Sequence, residues 1–196
     1  MARSPLALAF LLAIASAPLF AGNKLIVAGS KVQVAKSQLS VKPSSEWNKL
    51  GQRPGRNAET WTLDGDALND VTFYGGIPDG KTLFAEADKR NKPLPRVSGT
   101  MLITDIPVLL ENSYRIALDT PLMRIEAMEP APFAGAKGIR FTYSFTRQNE
   151  EVLRHGEGRA AIVKGALYMI TYEAPALHYF EKTLPSFRQL ADSAAL

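Results

Sequence analysis

The sequence predicts an α+β fold, an antiparallel sheet with helices packed on its faces, on three observations. Four strand-like runs follow one another in the C-terminal half with only short turns between them. Strands joined so closely cannot be parallel, because parallel neighbours need long crossovers. Two amphipathic helical stretches, one before these strands and one after, carry apolar stripes that need a sheet to cover.

In chain order, Val32, Val34, Leu39 and Val41 predict one or two short strands, ended by Lys42-Pro43-Ser44-Ser45. Gly51–Asn57 is a loop by composition. Ala58–Leu63 alternates Glu59, Trp61 and Leu63 against Ala58, Thr60 and Thr62. Leu68–Tyr74 is rich in Val, Thr, Phe and Tyr, and Asp64-Gly65-Asp66 joins the two runs as an antiparallel pair. Gly75–Pro95 is irregular, with one helical turn expected at Phe84–Asp88. Asp105–Leu118 is a helix: Asp105 is placed to cap it, Pro107 lies in the first turn, and Ile106, Leu109, Leu110, Ser113, Tyr114 and Ala117 form its stripe.

The four strands are Leu122–Met128, Lys137–Thr146, Val152–Val163 and Ala166–Glu173. In the second, Ile139, Phe141, Tyr143 and Phe145 alternate with Arg140, Thr142, Ser144 and Thr146, so one face belongs in a core. Gln148-Asn149-Glu150 and Lys164-Gly165 are the hairpin turns. A final helix over Ala176–Ala194 presents Leu177, Phe180, Leu184, Phe187, Leu190, Ala191 and Ala194, with a kink expected at Pro185.

The closing unit consists of turn Gly165, strand Leu167–Tyr172, the break Ala174-Pro175, and the helix from Tyr179-Phe180 to Ser193. With the meander before it, this unit resembles the PsbP-like family, small α/β/α sandwiches exported in bacteria and chloroplasts. The stretches Trp61-Thr62-Leu63-Asp64-Gly65 and Leu68-Asn69 look like uncharacterised exported bacterial members rather than photosynthetic ones. The resemblance implies non-enzymatic accessory or assembly work. No functional residues of the family map onto this chain.

The first residues read as a secretory signal. Arg3 precedes an apolar run from Leu6 to Ala15, and small residues surround Ala21. The run is shorter than the ~20 residues that span a bilayer. Cleavage is expected near Ala21-Gly22, leaving 22–196 as a single domain in the periplasm or, alternatively, secreted, with no stable membrane anchor. Leu19-Phe20-Ala21-Gly22 also resembles the approach to a lipoprotein cleavage site. The next residue is Asn23, however, and the chain has no cysteine to carry a lipid. Absence of cysteine also removes thiol catalysis and cysteine-based zinc sites. The full chain carries +4; with Arg3 gone the remainder carries +3, too mild to predict a nucleic-acid partner.

Several motifs carry chemistry in form. Gly75–Thr82 satisfies the phosphate-loop pattern, in which Lys81 meets phosphate oxygens. Prolines 93 and 95 leave little room for the helix it requires, so a glycine turn is expected. Gly156-Glu157-Gly158-Arg159-Ala160-Ala161 matches a dinucleotide fingerprint but lies in a strand, where its glycines predict a bulge or bend. Asp64, Asp66, Asn69 and Asp70 cluster without calcium-loop spacing and read as a capped turn. The two histidines, His155 and His178, form no metal signature; neither cofactor nor metal is expected.

These readings predict a binding or accessory domain that acts on a partner protein or a small envelope ligand. Trp61, Asp64, Asp66, Tyr74 and Lys81 are its candidate contact residues, and no catalytic residue is assigned. The competing readings are a hydrolase using Asp64, Asp66 or Asp79 with a histidine, and a structural envelope component.

Overall fold

The structure, a computed structural model, describes residues 22–196 except Asn149; the segment read as an export signal lies outside them. Eight strands form one sheet: β1 (Lys24–Ile26), β4 (Trp47–Lys49), β5 (Ala58–Thr62), β6 (Asp70–Ile77), β7 (Arg124–Pro130), β8 (Ile139–Thr146), β9 (Leu153–Val163) and β10 (Ala166–Pro175). Their spatial order is β1-β4-β5-β6-β10-β9-β8-β7, and every pairing is antiparallel. The short β2 (Val32–Gln33) and β3 (Ser40–Val41) pair separately. Helices α1 (Asp105–Ala117) and α2 (Tyr179–Asp192) complete the chain.

The expected α+β architecture is present, with a core on each side of the sheet. On the α2 side, Phe180, Leu184, Phe187 and Leu190 pack with Trp61, Val71, Phe73, Ile170 and Tyr172. On the α1 side, Ile106, Leu109, Leu110 and Tyr114 pack with Tyr74, Phe141, Tyr143, Phe145 and Met169. Period-two alternation sorts the residues: Val71 and Phe73 go to one side, Thr72 and Tyr74 to the other. The β9–β10 turn matches expectation. Lys164 (φ 50°) and Gly165 (φ 75°) are both left-handed, as a two-residue hairpin with matching twist requires.

Other expectations are corrected. Gly75 and Gly76 are not a turn; they lie within β6. Gly76 has φ 65° and falls where the β6–β10 register shifts, Leu167 facing Ile77 and Tyr168 facing Gly75. This one-residue bulge returns Ile77 to the same side as Tyr74. No helix opens at Lys81, since the next one in the chain is α1 at Asp105, so the loop lacks the helix N-terminus a phosphate loop requires. Phe84–Asp88 has no helical turn either. Leu83, Phe84, Leu94 and Val97 are buried there, so this irregular segment is held by core packing.

At the helix ends, Thr104 rather than Asp105 occupies the α1 cap, and the Asp105 carboxylate accepts the Leu102 N–H at 3.0 Å. Leu177, expected in the final apolar stripe, is 87% exposed, and α2 begins only after His178 and runs through Pro185.

The paired glycines of β9 mark no bulge, since register is continuous with both neighbours. Gly156 and Gly158 face Tyr143 and Phe141 across β8–β9. A Cβ at either would come within 2.2 Å of its partner's ring. Glycine is required here because the rings lie flat over the β9 backbone.

Candidate functional site

The α1 side of the sheet is not filled from end to end. Between the sheet, α1 and the 50–54 loop lies a cavity of about 650 Å³, within the ~300–1,000 Å³ range of small-molecule sites. Alternation and register place its polar residues. Asp70, Thr72 and Tyr74 project from β6, Thr60 from β5 and Glu173 from β10, with Glu173 directly opposite Asp70 and Thr60 opposite Thr72. Phe84, Tyr114, Ala117, Leu118, Leu50 and Pro54 supply apolar wall. Arg53 and Arg147 stand among the polar residues at its edge.

Glu173 is the hub. Its Oε1 accepts the hydroxyls of Tyr143, at 2.8 Å, and of Tyr114. Tyr143 reaches it from β8 across β9 because the residue between them is Gly156. Gly156→Ala is therefore expected to displace the ring, break the Tyr143–Glu173 hydrogen bond and cost about 1–3 kcal/mol. A urea melt measures the loss, and an alanine tolerated without loss would contradict this role for the glycine.

Asp70 accepts Arg147 Nη2 at 3.0 Å, while Arg154 Nη2 stands 3.9 Å away. Arg154 is 1% exposed and spends Nη1 on the Ala67 carbonyl at 2.9 Å. Loss of water, then the neighbouring Glu173 carboxyl, push Asp70 up to about 8 against the pull of the two arginines. Burial likewise raises Glu173, opposed by its tyrosine hydrogen bonds. Burial and the Glu173 charge hold the Tyr74, Tyr114 and Tyr143 hydroxyls well above the ordinary phenol range, so all three stay neutral. At neutral pH the floor thus holds a protonated Asp70 facing Glu173 across the β6–β10 ladder, among neutral hydroxyls.

Two polar groups of the lining lack partners. Arg53 donates Nε to the Ala58 carbonyl at 2.8 Å, but its buried Nη2 makes no hydrogen bond. Tyr74 Oη lies near Tyr114, whose proton goes to Glu173, and has no partner at hydrogen-bonding geometry. Buried polar groups left so are uncommon in folded proteins.

Of the five candidate residues, Asp66 and Tyr74 line this cavity. Trp61 does not. It is fully buried on the opposite side, 4.6 Å from Phe73 between ring centroids, with Nε1 donating to Glu59 at 3.0 Å. Asp64 is exposed and accepts Asn69 Nδ2 at 3.0 Å. Lys81 belongs to a second, adjoining hollow of about 530 Å³, with Arg56, Lys89, Arg96 and Glu86. Two of the groups named for a hydrolase are engaged elsewhere. Asp79 accepts the Gly99 N–H at 2.8 Å, and His155 packs edge-on against Phe180 on the α2 side. Glu157, beside His155 in sequence, is fully buried and accepts Arg140 at 3.0 Å and Arg188 at 2.8 Å.

Glu173, Arg53, Arg147 and Arg154 were not singled out from sequence; Asp70 was read only as a member of a capped turn and Tyr114 only as part of the α1 stripe. One signal was present for Glu173, an acid in the apolar run Met169-Ile170-Thr171-Tyr172 that needed cover on both sides.

No protein-family model matches the chain, and no curated protein matches it. Among solved structures, the solution structure of cyanobacterial PsbP (CyanoP) from Synechocystis sp. PCC 6803 aligns over 94% of this chain and 98% of that one, with TM-score 0.52 and 12% identity. LpqN, involved in cell envelope biogenesis of Mycobacterium tuberculosis, aligns over 88% and 82% with TM-score 0.35 and 10% identity. The chain has a PsbP-like fold, and at such identity the likeness extends to the fold alone.

Proposed function

We propose that the chain is an exported, non-enzymatic binding domain that takes a small polar ligand into the α1-side cavity. The observation that carries this reading is the pair of unpartnered donors, Tyr74 Oη and Arg53 Nη2, in the lining of a cavity of ligand size. An oxygen-rich ligand satisfies both, and the Tyr114 and Phe84 rings give it an apolar wall. The protonated Asp70 adds a group that can donate, and Glu173 beside it one that accepts. Of the two partners expected from the sequence, a small ligand fits this recess better than a protein surface does. Export rests on the N-terminal signal pattern.

The test is native purification of the protein from its own cell, followed by denaturing release and mass spectrometry. A small polar molecule in stoichiometric amount is expected, lost from the Arg53→Gln/Tyr74→Phe variant, on a chain beginning near Gly22 or Asn23. A protein that emerges empty but bound to a stoichiometric partner chain would replace the small-ligand reading with a protein-docking one.

A further inference from the structure

We infer that the second hollow is an anion site for a phosphate-bearing group, adjoining the α1-side cavity at Phe84 and Ala85. It opens between the end of β6 and the 81–96 segment, with Ile77, Pro78 and Phe84 as its apolar lining. Four cationic side chains line it, Arg56, Lys81, Lys89 and Arg96, against the single acid Glu86. The chain beyond Arg3 carries only +3 in total, so an excess of this size in one recess is a concentration of charge.

The recess is organised before any ligand arrives. Gly80 N–H donates to the Val97 carbonyl and Val97 N–H to the Lys81 carbonyl, each at 2.8 Å, pinning the backbone that carries Lys81 to the strand-like segment opposite. Arg96 donates Nη1 to the Gly80 carbonyl at 2.7 Å and Nη2 to Glu86 at 3.2 Å, which neutralises the one acid. The side chains of Arg56, Lys81 and Lys89 have no hydrogen-bonded or ion-paired partner among the described residues. A hollow of about 530 Å³ has an equivalent radius of roughly 5 Å, inside the ~8 Å Debye length at physiological salt. An anion within it therefore feels all the cations together. Three unneutralised cations match a group carrying about −1.5 to −2 charge and several acceptor oxygens, as a phosphomonoester does, better than they match one carboxylate. Lys81 acts here as one cation of a surface recess, with no phosphate-loop helix behind it.

Calorimetric titration of the folded protein with inorganic phosphate tests the site, alongside cosedimentation with phosphatidic acid and with phosphatidylcholine vesicles. Saturable binding is expected in the phosphate arm if the group comes on a soluble molecule, or in the phosphatidic acid arm alone if it comes on a lipid headgroup. In either arm Arg56→Glu/Lys81→Glu should weaken binding at least tenfold. Arg124→Glu/Lys182→Glu, which makes the same change in net charge on β7 and α2, should leave it within about twofold. No saturable binding in either arm overturns the site, and so does equal weakening by the two double variants. Lys81→Gln/Lys89→Gln supplies the same comparison should the charge reversals disturb folding.

Discussion

Phe187→Ala is expected to lower stability by about 3–5 kcal/mol, the usual cost of truncating a buried aromatic. Phe187 is fully buried and stacks on Tyr172, ring centroids 5.2 Å apart and planes 19° from parallel. Tyr172 is in turn held by α2, donating its hydroxyl to the Phe180 carbonyl at 2.9 Å. The substitution thus opens a cavity between α2 and the centre of the sheet, where β10 joins β6 to β9. Against a total of about 5–15 kcal/mol for a domain, that is a large share. Glu181→Ala, on the exposed side of the same helix, should stay within about 0.5 kcal/mol. Urea melts of both variants decide it: equal, small losses would mean that α2 is not the cover of the sheet.

The parts of the fold legible in the sequence are those whose periodicity is long. β8 spans eight residues of apolar–polar alternation, and β9 and β10 are ten or more residues long with a two-residue turn between them. β1 and β4 went unread because three residues, Lys24–Ile26 and Trp47–Lys49, carry no period. The glycines of β9 were visible as departures from a strand pattern. Their cause was not, because it depends on which aromatic of β8 lies opposite, and that is a fact of register. The segment after β6 is irregular, as expected, but lacks the expected helical turn; its buried residues Leu83, Phe84, Leu94 and Val97 are spaced by local bends and follow neither helical nor strand period.

The candidate site was less legible than the fold, for a topological reason. Asp70 and Glu173 are far apart in sequence and meet only because β10 inserts between β6 and β9. Hairpin logic pairs β5 with β6 and β9 with β10, but it does not say that β6 and β10 are neighbours. Asp70 read as one member of an Asp-rich turn, and Trp61 drew attention as a large aromatic although its alternation with Thr60 and Thr62 sends it to the α2 core. Tyr74 shares a side with Thr72 and Asp70, so its place beside the acids followed from period two once the neighbour strand was known.

The carboxyl pair leads to the second large effect. Between its ordinary 3.8 and about 8, Asp70 holds its proton in the folded protein and loses it in the unfolded chain. The native state therefore binds more protons across that window, so stability falls as pH rises from about 4 to about 8 and levels off above it. A tenfold difference in proton affinity is worth ~1.4 kcal/mol, which sets an upper bound of roughly 5–6 kcal/mol for Asp70 alone. Every charged or titratable group around Asp70 enters this balance: Glu173 and Asp66 raise it, Arg147 and Arg154 lower it, and the tyrosines stay neutral. Asp70→Asn keeps the shape of the protonated carboxyl without its titration. It is expected to match the parent protein near pH 5 and to exceed it in Tm by several degrees at pH 9, flattening the profile between. Glu173→Gln should flatten it in the same direction by removing the neighbouring charge that helps hold the Asp70 proton. Thermal melts from pH 5 to pH 9 measure both. An Asp70→Asn protein less stable than its parent at pH 9 would show that the ionised Asp70–Arg147 pair, with Arg154 behind it, outweighs burial, and the floor of the cavity would then be charged at Asp70 rather than protonated there.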